Sequence, residues 1–216
     1  VNTLAPASGR VVLLHGIWMR RGVTSRLAQR LRAAGYDVAA PDYASIRAPF
    51  AQHHAVIDAA IAGAAGPVHL VGHSLGGVLA LDYLRHRPGC LPDSRVVCLG
   101  SPLLGSTLAR RLAAARLDRL GMGHAREALL AGQQRWDGPQ AVGVIAGELS
   151  FGLSLILGRL PKPNDGTVAV AETRLPGISD HVVVRASHTA LLFSAAAAEL
   201  TVRFLREGRF GQASRR

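Results

Sequence analysis

A chain of 216 residues, 49% hydrophobic and only 18% charged, can bury a sizeable core and falls outside the disordered class, which needs low hydropathy and high charge. No charge-free apolar run approaches the roughly 20 residues that span a bilayer, and two cysteines, Cys90 and Cys98, are too few for a disulfide framework or a cysteine-rich zinc module. The formal net charge of +11 invites a nucleic-acid reading, but Lys162 is the one lysine among 25 basic residues, aromatics are 5%, and no nucleic-acid-binding motif is present; the excess arginine reads as genome composition and no nucleic-acid partner is expected.

In chain order, Val1 to Gly9 carries neither a charged n-region nor a long apolar h-region. A cytoplasmic location is therefore expected, with export after removal of a leader as the alternative. Arg10 to Leu14 is a short apolar run with β-branched residues, stopped at His15-Gly16, and reads as a buried strand. Thr24 to Ala34 carries leucines at 27 and 31 and arginines at 26, 30 and 32, the spacing of a helix that Gly35 closes. Tyr36 to Ala40 is a second strand ended by Pro41, and Gln52 to Ala64 an alanine-rich helix ended by Gly66-Pro67. A third strand, Val68 to Val71, runs straight into Gly72-His73-Ser74-Leu75-Gly76-Gly77; a helical stretch from Val78 to Arg87 follows, stopped by Pro88-Gly89. Arg95 to Leu99 is a fourth strand, ended by Gly100-Ser101-Pro102, and Leu103 to Trp136 is helical with a break at Gly121-Met122-Gly123. Ala141 to Ala146 and Val182 to Arg185 are the fifth and sixth strands, and Thr189 to Arg206 is a final amphipathic helix.

Strands that alternate with helices and are apolar nearly throughout are covered on both faces. The expected fold is α/β: a doubly wound, mostly parallel sheet of about six strands, in one domain over residues 1–216, with no large cap. Residues 103–136 and 149–161 are the candidates for a small lid or flap. The second of these, Leu149 to Pro161, has only Arg159 charged and reads either as an ordinary core helix or as a partly exposed flap over an apolar site. In such a sheet a ligand binds at the carboxyl ends of the strands, so candidate residues must fall there.

Gly72-His73-Ser74-Leu75-Gly76 matches G-x-S-x-G at a strand-to-helix junction. The glycines let the two segments approach, the sharp turn lifts the serine hydroxyl above the sheet, and the helix N-terminus supplies free N–H groups. A serine needs a base to take its proton. His188, after the last strand and before the last helix, lies at the carboxyl edge; His181 is the runner-up but precedes the strand. His73 should point away from Ser74, and His53 and His54 open a surface helix where a solvated role is expected. The histidine needs an acid to hold its tautomer. Asp165, in the turn Pro163-Asn164-Asp165-Gly166-Thr167, is preferred over Glu148, which follows the fifth strand directly; Asp180 sits on the wrong edge. The N–H groups of Leu75 and of Ile17, in the first strand's exit loop His15-Gly16-Ile17-Trp18, are the expected oxyanion donors. Trp18, Leu103, Leu104 and the Leu149 to Leu157 stretch are expected to line a substrate pocket. No H-E-x-x-H or clustered cysteine ligands occur, so no metal or other cofactor is expected.

These motifs, His15-Gly16-Ile17, Gly72 to Gly77, Gly100-Ser101-Pro102, Asp165-Gly166-Thr167-Val168 and His188, resemble the α/β-hydrolase superfamily, in particular its small bacterial lipases and esterases. The block from Asp165 to Phe193 is also similar, less specifically, to lipase-like relatives of the GPI-inositol deacylases. The resemblance implies a nucleophilic Ser74 partnered by Asp165 and His188, Ile17 and Leu75 as oxyanion donors, and hydrolysis of carboxylic esters of small molecules or lipids, with transient contact to a lipid interface. The alternatives are thioester, amide or acyl-transfer chemistry on the same residues, or a non-catalytic basic protein that binds lipid or nucleic acid.

Overall fold

The computed structural model describes residues 9–116, 121–153 and 158–211. Six strands, β1 (Arg10–Leu14), β2 (Asp37–Ala39), β3 (Val68–His73), β4 (Arg95–Leu99), β5 (Ala141–Gly147) and β6 (Asp180–Val184), form one sheet in the order β2-β1-β3-β4-β5-β6. Every pairing is parallel. Side chains alternate across a strand, and the core divides accordingly. Val11 and Leu13 of β1, with Val97 and Leu99 of β4, face helices α1 (Ser25–Ala33) and α6 (Ala195–Glu207). Val12 and Leu14, with Val96 and Cys98, face α2 (Phe50–Ile61) and α3 (Leu75–His86). Each large apolar side chain buried this way contributes about 1.5–3 kcal/mol.

The expected doubly wound parallel sheet is therefore the fold, and among the described residues no cap domain covers it. Also among the described residues, no helix is long and apolar enough to cross a membrane. Several boundaries differ from the sequence reading, and three of them have a clear local reason. The helix expected from Leu103 is shorter and starts at α4 (Thr107–Ala114), because the Ser106 side chain accepts the Ala109 N–H at 3.1 Å and caps it there. It resumes as a 3-10 turn, Gly123–Ala125, and α5 (Arg126–Ala131). The final helix is divided: a 3-10 turn spans Thr189–Leu192, and Ser194 caps α6 by accepting the Ala197 N–H. The sixth strand begins two residues early, at Asp180, whose carboxylate accepts the N–H groups of His181 and Phe210 and so lets a polar residue open the strand.

All strands run the same way, so their exits share one edge. Chain order reverses beside β1: the chain steps outward to β2 and returns on the other side as β3. The crevice between the exits of β1 and β3 is where this architecture leaves room for a ligand.

Candidate active site

β3 ends at His73, Ser74 turns the chain, and α3 begins at Leu75. Ser74 holds φ +54° and ψ −120°, a conformation that residues with a Cβ rarely adopt. Hydrogen bonds hold the turn in place: Ser74 N–H donates to Leu99 O at 2.8 Å, and Gly77 N–H to Ser74 O at 3.1 Å. The flanking glycines are required by space. A Cβ on Gly72 would overlap the backbone of Gly76 and Gly77, and one on Gly76 would overlap the carbonyl oxygens of Leu14 and His15. The turn leaves the side chain of Ser74 on a cavity wall, with α3 starting at the next residue.

Asp165 and His188 meet at the exits of β5 and β6. Asp165 Oδ1 accepts the N–H groups of Thr167 at 2.9 Å and Val168 at 2.7 Å, an Asx turn that fixes the carboxylate. Oδ2 remains for His188 Nδ1, at 2.7 Å. The backbones are tied as well, His188 N–H donating to Asp165 O at 2.9 Å. Asp165 is 1% exposed and His188 8%. A carboxylate accepts only, so it holds the imidazole proton on Nδ1 and leaves Nε2 as a base. Gly100, at the exit of β4, makes room for the pair: a Cβ there would press on Asp165 Oδ2, His188 Nδ1 and Leu191.

Two further histidines brace this arrangement. His73 is fully buried, and its Nε2 lies 2.9 Å from the carbonyl oxygen of His188, which it reaches as a donor. Its ring also packs against the His188 ring, with centroids 4.7 Å apart. Burial, and secondarily the nearby His188, pushes its pKa down to about 3, so it is neutral. His15 stacks on Tyr43 at 4.0 Å, and the Tyr43 hydroxyl donates to the His15 carbonyl oxygen, fixing the loop that leads to Ile17. Burial likewise lowers the His15 pKa.

Ser74 and His188 line one cleft of about 520 Å³, together with Ile17, Trp18 and Phe151. A narrower recess of about 50 Å³ opens from the same point between Ile17, Trp18 and Ser74 and runs against Leu108, Leu112 and Met122. Trp18 is held at its rim by donating from Nε1 to Gly121 O at 2.5 Å. Phe151, 74% exposed, stands at the mouth of the larger cleft.

The structure thus brings Ser74, His188, Asp165, Ile17, Leu75 and Trp18 to one edge of the sheet. Leu103 and Leu104 lie elsewhere. Leu103 is fully buried with the α2–α3 side of the core, and Leu104 is not among the residues lining either hollow. Their loop turns inward because Leu103 N–H donates to Ser101 O and Leu104 N–H to Glu172 O. Of the apolar stretch, Phe151, Gly152 and Leu153 line the larger cleft without forming a helix; residues 154–157 lie outside the described residues. Glu148 is exposed, and His181, at the start of β6, pairs with Thr173 Oγ1 at 2.8 Å. His53 and His54, expected to be solvated, are both buried. Sequence reasoning missed the role of His73, whose distance of 115 residues from its partner leaves no trace in spacing.

Solved structures share this fold. The mature lipase BlEst2 of Bacillus licheniformis superposes with a TM-score of 0.73 at 23% identity, over 96% of this chain and 95% of that one. A monoacylglycerol lipase of Paleococcus ferrophilus gives 0.62 at 19%, over 94% and 96%. A pyrethroid hydrolase of Sphingobium faniae gives 0.60 at 19%, over 92% and 97%. No curated protein sequence matches the chain. The sequence model of the alpha/beta hydrolase family matches residues 11–207, nearly the whole chain with every residue of the cleft, and the chain belongs to that family.

Proposed function

We propose that the protein hydrolyses carboxylic esters through an acyl-enzyme on Ser74. The observation that carries this reading is the 2.7 Å contact between Asp165 Oδ2 and His188 Nδ1, made beside a serine on a left-handed turn in the same cleft. Two of the similar structures are lipases, in keeping with an ester substrate.

His188 Nε2 takes the Ser74 proton as Oγ attacks the ester carbonyl carbon. The N–H groups of Leu75 and Ile17 stabilise the oxyanion of the tetrahedral intermediate. As the C–O bond breaks, His188 returns the proton to the departing alcohol. Water then enters, gives a proton to His188 and attacks the acyl carbon; as the acyl–Oγ bond breaks, His188 delivers that proton to Ser74 Oγ and the acid is released. Asp165 stabilises the imidazolium in both steps and is not itself protonated. The apolar recess beside Leu112 and Met122 receives the acyl tail, and the wider cleft takes the alcohol. Leu108, Leu112 and Met122 give the recess an apolar wall suited to an acyl chain.

The reading is tested with purified protein on nitrophenyl esters of graded acyl length, alongside thioester and amide analogues. Ester turnover is expected, and it should fall by about 10⁶-fold in Ser74→Ala. Turnover confined to thioesters or amides, or undiminished in that variant, contradicts it.

A further inference from the structure

Outside the cleft, one group of side chains has no part in the chemistry above. His54 on α2, and Asp82 and His86 on α3, converge on the outer face of that helix pair. We propose that they bind a single divalent transition-metal ion of the zinc type, clamping α2 to α3.

Asp82 and His86 are one turn apart on α3 and so project from the same face. Packing of α2 beside α3 brings His54 opposite them. His54 Nε2 lies 2.8 Å from Asp82 Oδ2, and His86 Nδ1 lies 3.6 Å from the same oxygen. All three ligating atoms fall within 4.8 Å of one another. A tetrahedral zinc with bonds of about 2.0–2.1 Å sets its donors about 3.4 Å apart, so movements of roughly 1 Å or less at each atom complete the site.

The surroundings suit such a role. The His54 side chain is 6% exposed, and the edge-on ring of Tyr83 at 5.5 Å fixes it. The His86 side chain is 64% exposed; its Nδ1 lies 2.9 Å from the Asp82 carbonyl oxygen and exchanges that contact for the ion, which keeps a fourth position for water. Neighbouring cations are directed elsewhere: Arg87 reaches Asp58 at 3.2 Å and Arg85 lies over Trp136. Two imidazoles and one carboxylate favour zinc, copper or nickel over calcium and magnesium, which take mainly oxygen. Ser74 and His86 stand at opposite ends of α3, about 18 Å apart along the axis. The ion therefore touches no reacting atom and acts on the rigidity of the helix that carries the serine turn at its other end.

The test is calorimetric titration of tag-free, chelator-stripped full-length protein with zinc chloride, paired with thermal melts. One equivalent should bind with a micromolar or lower dissociation constant, and the melting temperature should rise with zinc concentration. His86→Ala and Asp82→Asn should each weaken binding at least tenfold. Because His86 is exposed, His86→Ala should keep the metal-free melting temperature, so lost binding cannot be confused with lost folding. Absence of a saturable single equivalent overturns the proposal, as does binding that survives His86→Ala unchanged.

Discussion

His73 Nε2 donates a hydrogen bond of 2.9 Å to the carbonyl oxygen of His188, joining the strand that leads to Ser74 to the loop that carries His188. A carbonyl oxygen only accepts, so the His73 proton sits on Nε2 and the ring stays neutral beside the imidazole that, in the proposed reaction, becomes charged. His73→Leu is expected to lower kcat by about 10²-fold with little change in KM, the cost of misplacing a base by an ångström or so. His73→Gln, which can still donate at that position, should recover much of the loss. Equal kcat in His73→Leu and the wild type would show that the bond positions nothing.

Adding one methyl group to the turn should be as damaging as removing a catalytic side chain. Gly76→Ala places a Cβ against the carbonyl oxygens of Leu14 and His15, pushing α3 away from β1. A loss of about 1–3 kcal/mol is expected from overpacking, with a larger fractional loss of turnover because Ser74 moves with the helix. Urea unfolding and ester hydrolysis, measured together, check both; wild-type values in each would remove the steric account.

Acyl-chain preference should answer to the recess. Leu112→Ala enlarges the hollow beside Ser74 and is expected to move the best substrate toward longer chains, at lower cost to stability than a change at the more deeply buried Met122. Leu104→Ala, away from both hollows, should leave the preference unchanged. The ratio of kcat/KM for butyrate and octanoate esters reads the shift, and an identical ratio in Leu112→Ala contradicts the assignment of the recess.

Several buried imidazoles make stability depend on acid. Burial holds the pKa of His69 and His181 down to about 4, and that of His73 to about 3, against 6.5 in the open chain. Between these values the unfolded chain binds more protons than the fold, so stability rises with pH there and is lost as pH falls from 6.5 toward 4. Above 6.5 these groups add no slope. His69 Nδ1 accepts the Arg95 N–H at 3.1 Å and must stay unprotonated to do so. His69→Asn keeps an acceptor without titrating, and its melting temperature should fall less steeply than that of the wild type between pH 7 and 4.5. Parallel slopes would assign the acid sensitivity to other groups.

The parts of this molecule that depend on chain direction were legible in the sequence. In an all-parallel sheet each strand exit marks the same edge, so Ser74 after β3 and His188 after β6 could be placed together without coordinates. Asp165 was legible for a further reason: an Asx turn uses one carboxylate oxygen and leaves the other free to reach His188. What failed depended on which way a loop or helix face turns. Leu103 follows a strand exit, as a pocket residue should, but its loop folds inward. His53 and His54 sit in an alanine-rich helix whose weak amphipathic pattern hides its buried face. The cluster of His54 with Asp82 and His86 depends on two helices packing side by side, which no linear spacing records.

The account stands most directly on the reactivity of one hydroxyl. Purified protein should be treated with a nitrophenyl alkylphosphonate and the modified residue located by peptide mass spectrometry. One adduct per chain is expected, on the peptide containing Ser74, forming with loss of ester turnover and at a much lower rate in His188→Ala. An adduct on another residue, or full ester turnover in a chain quantitatively modified at Ser74, would contradict it.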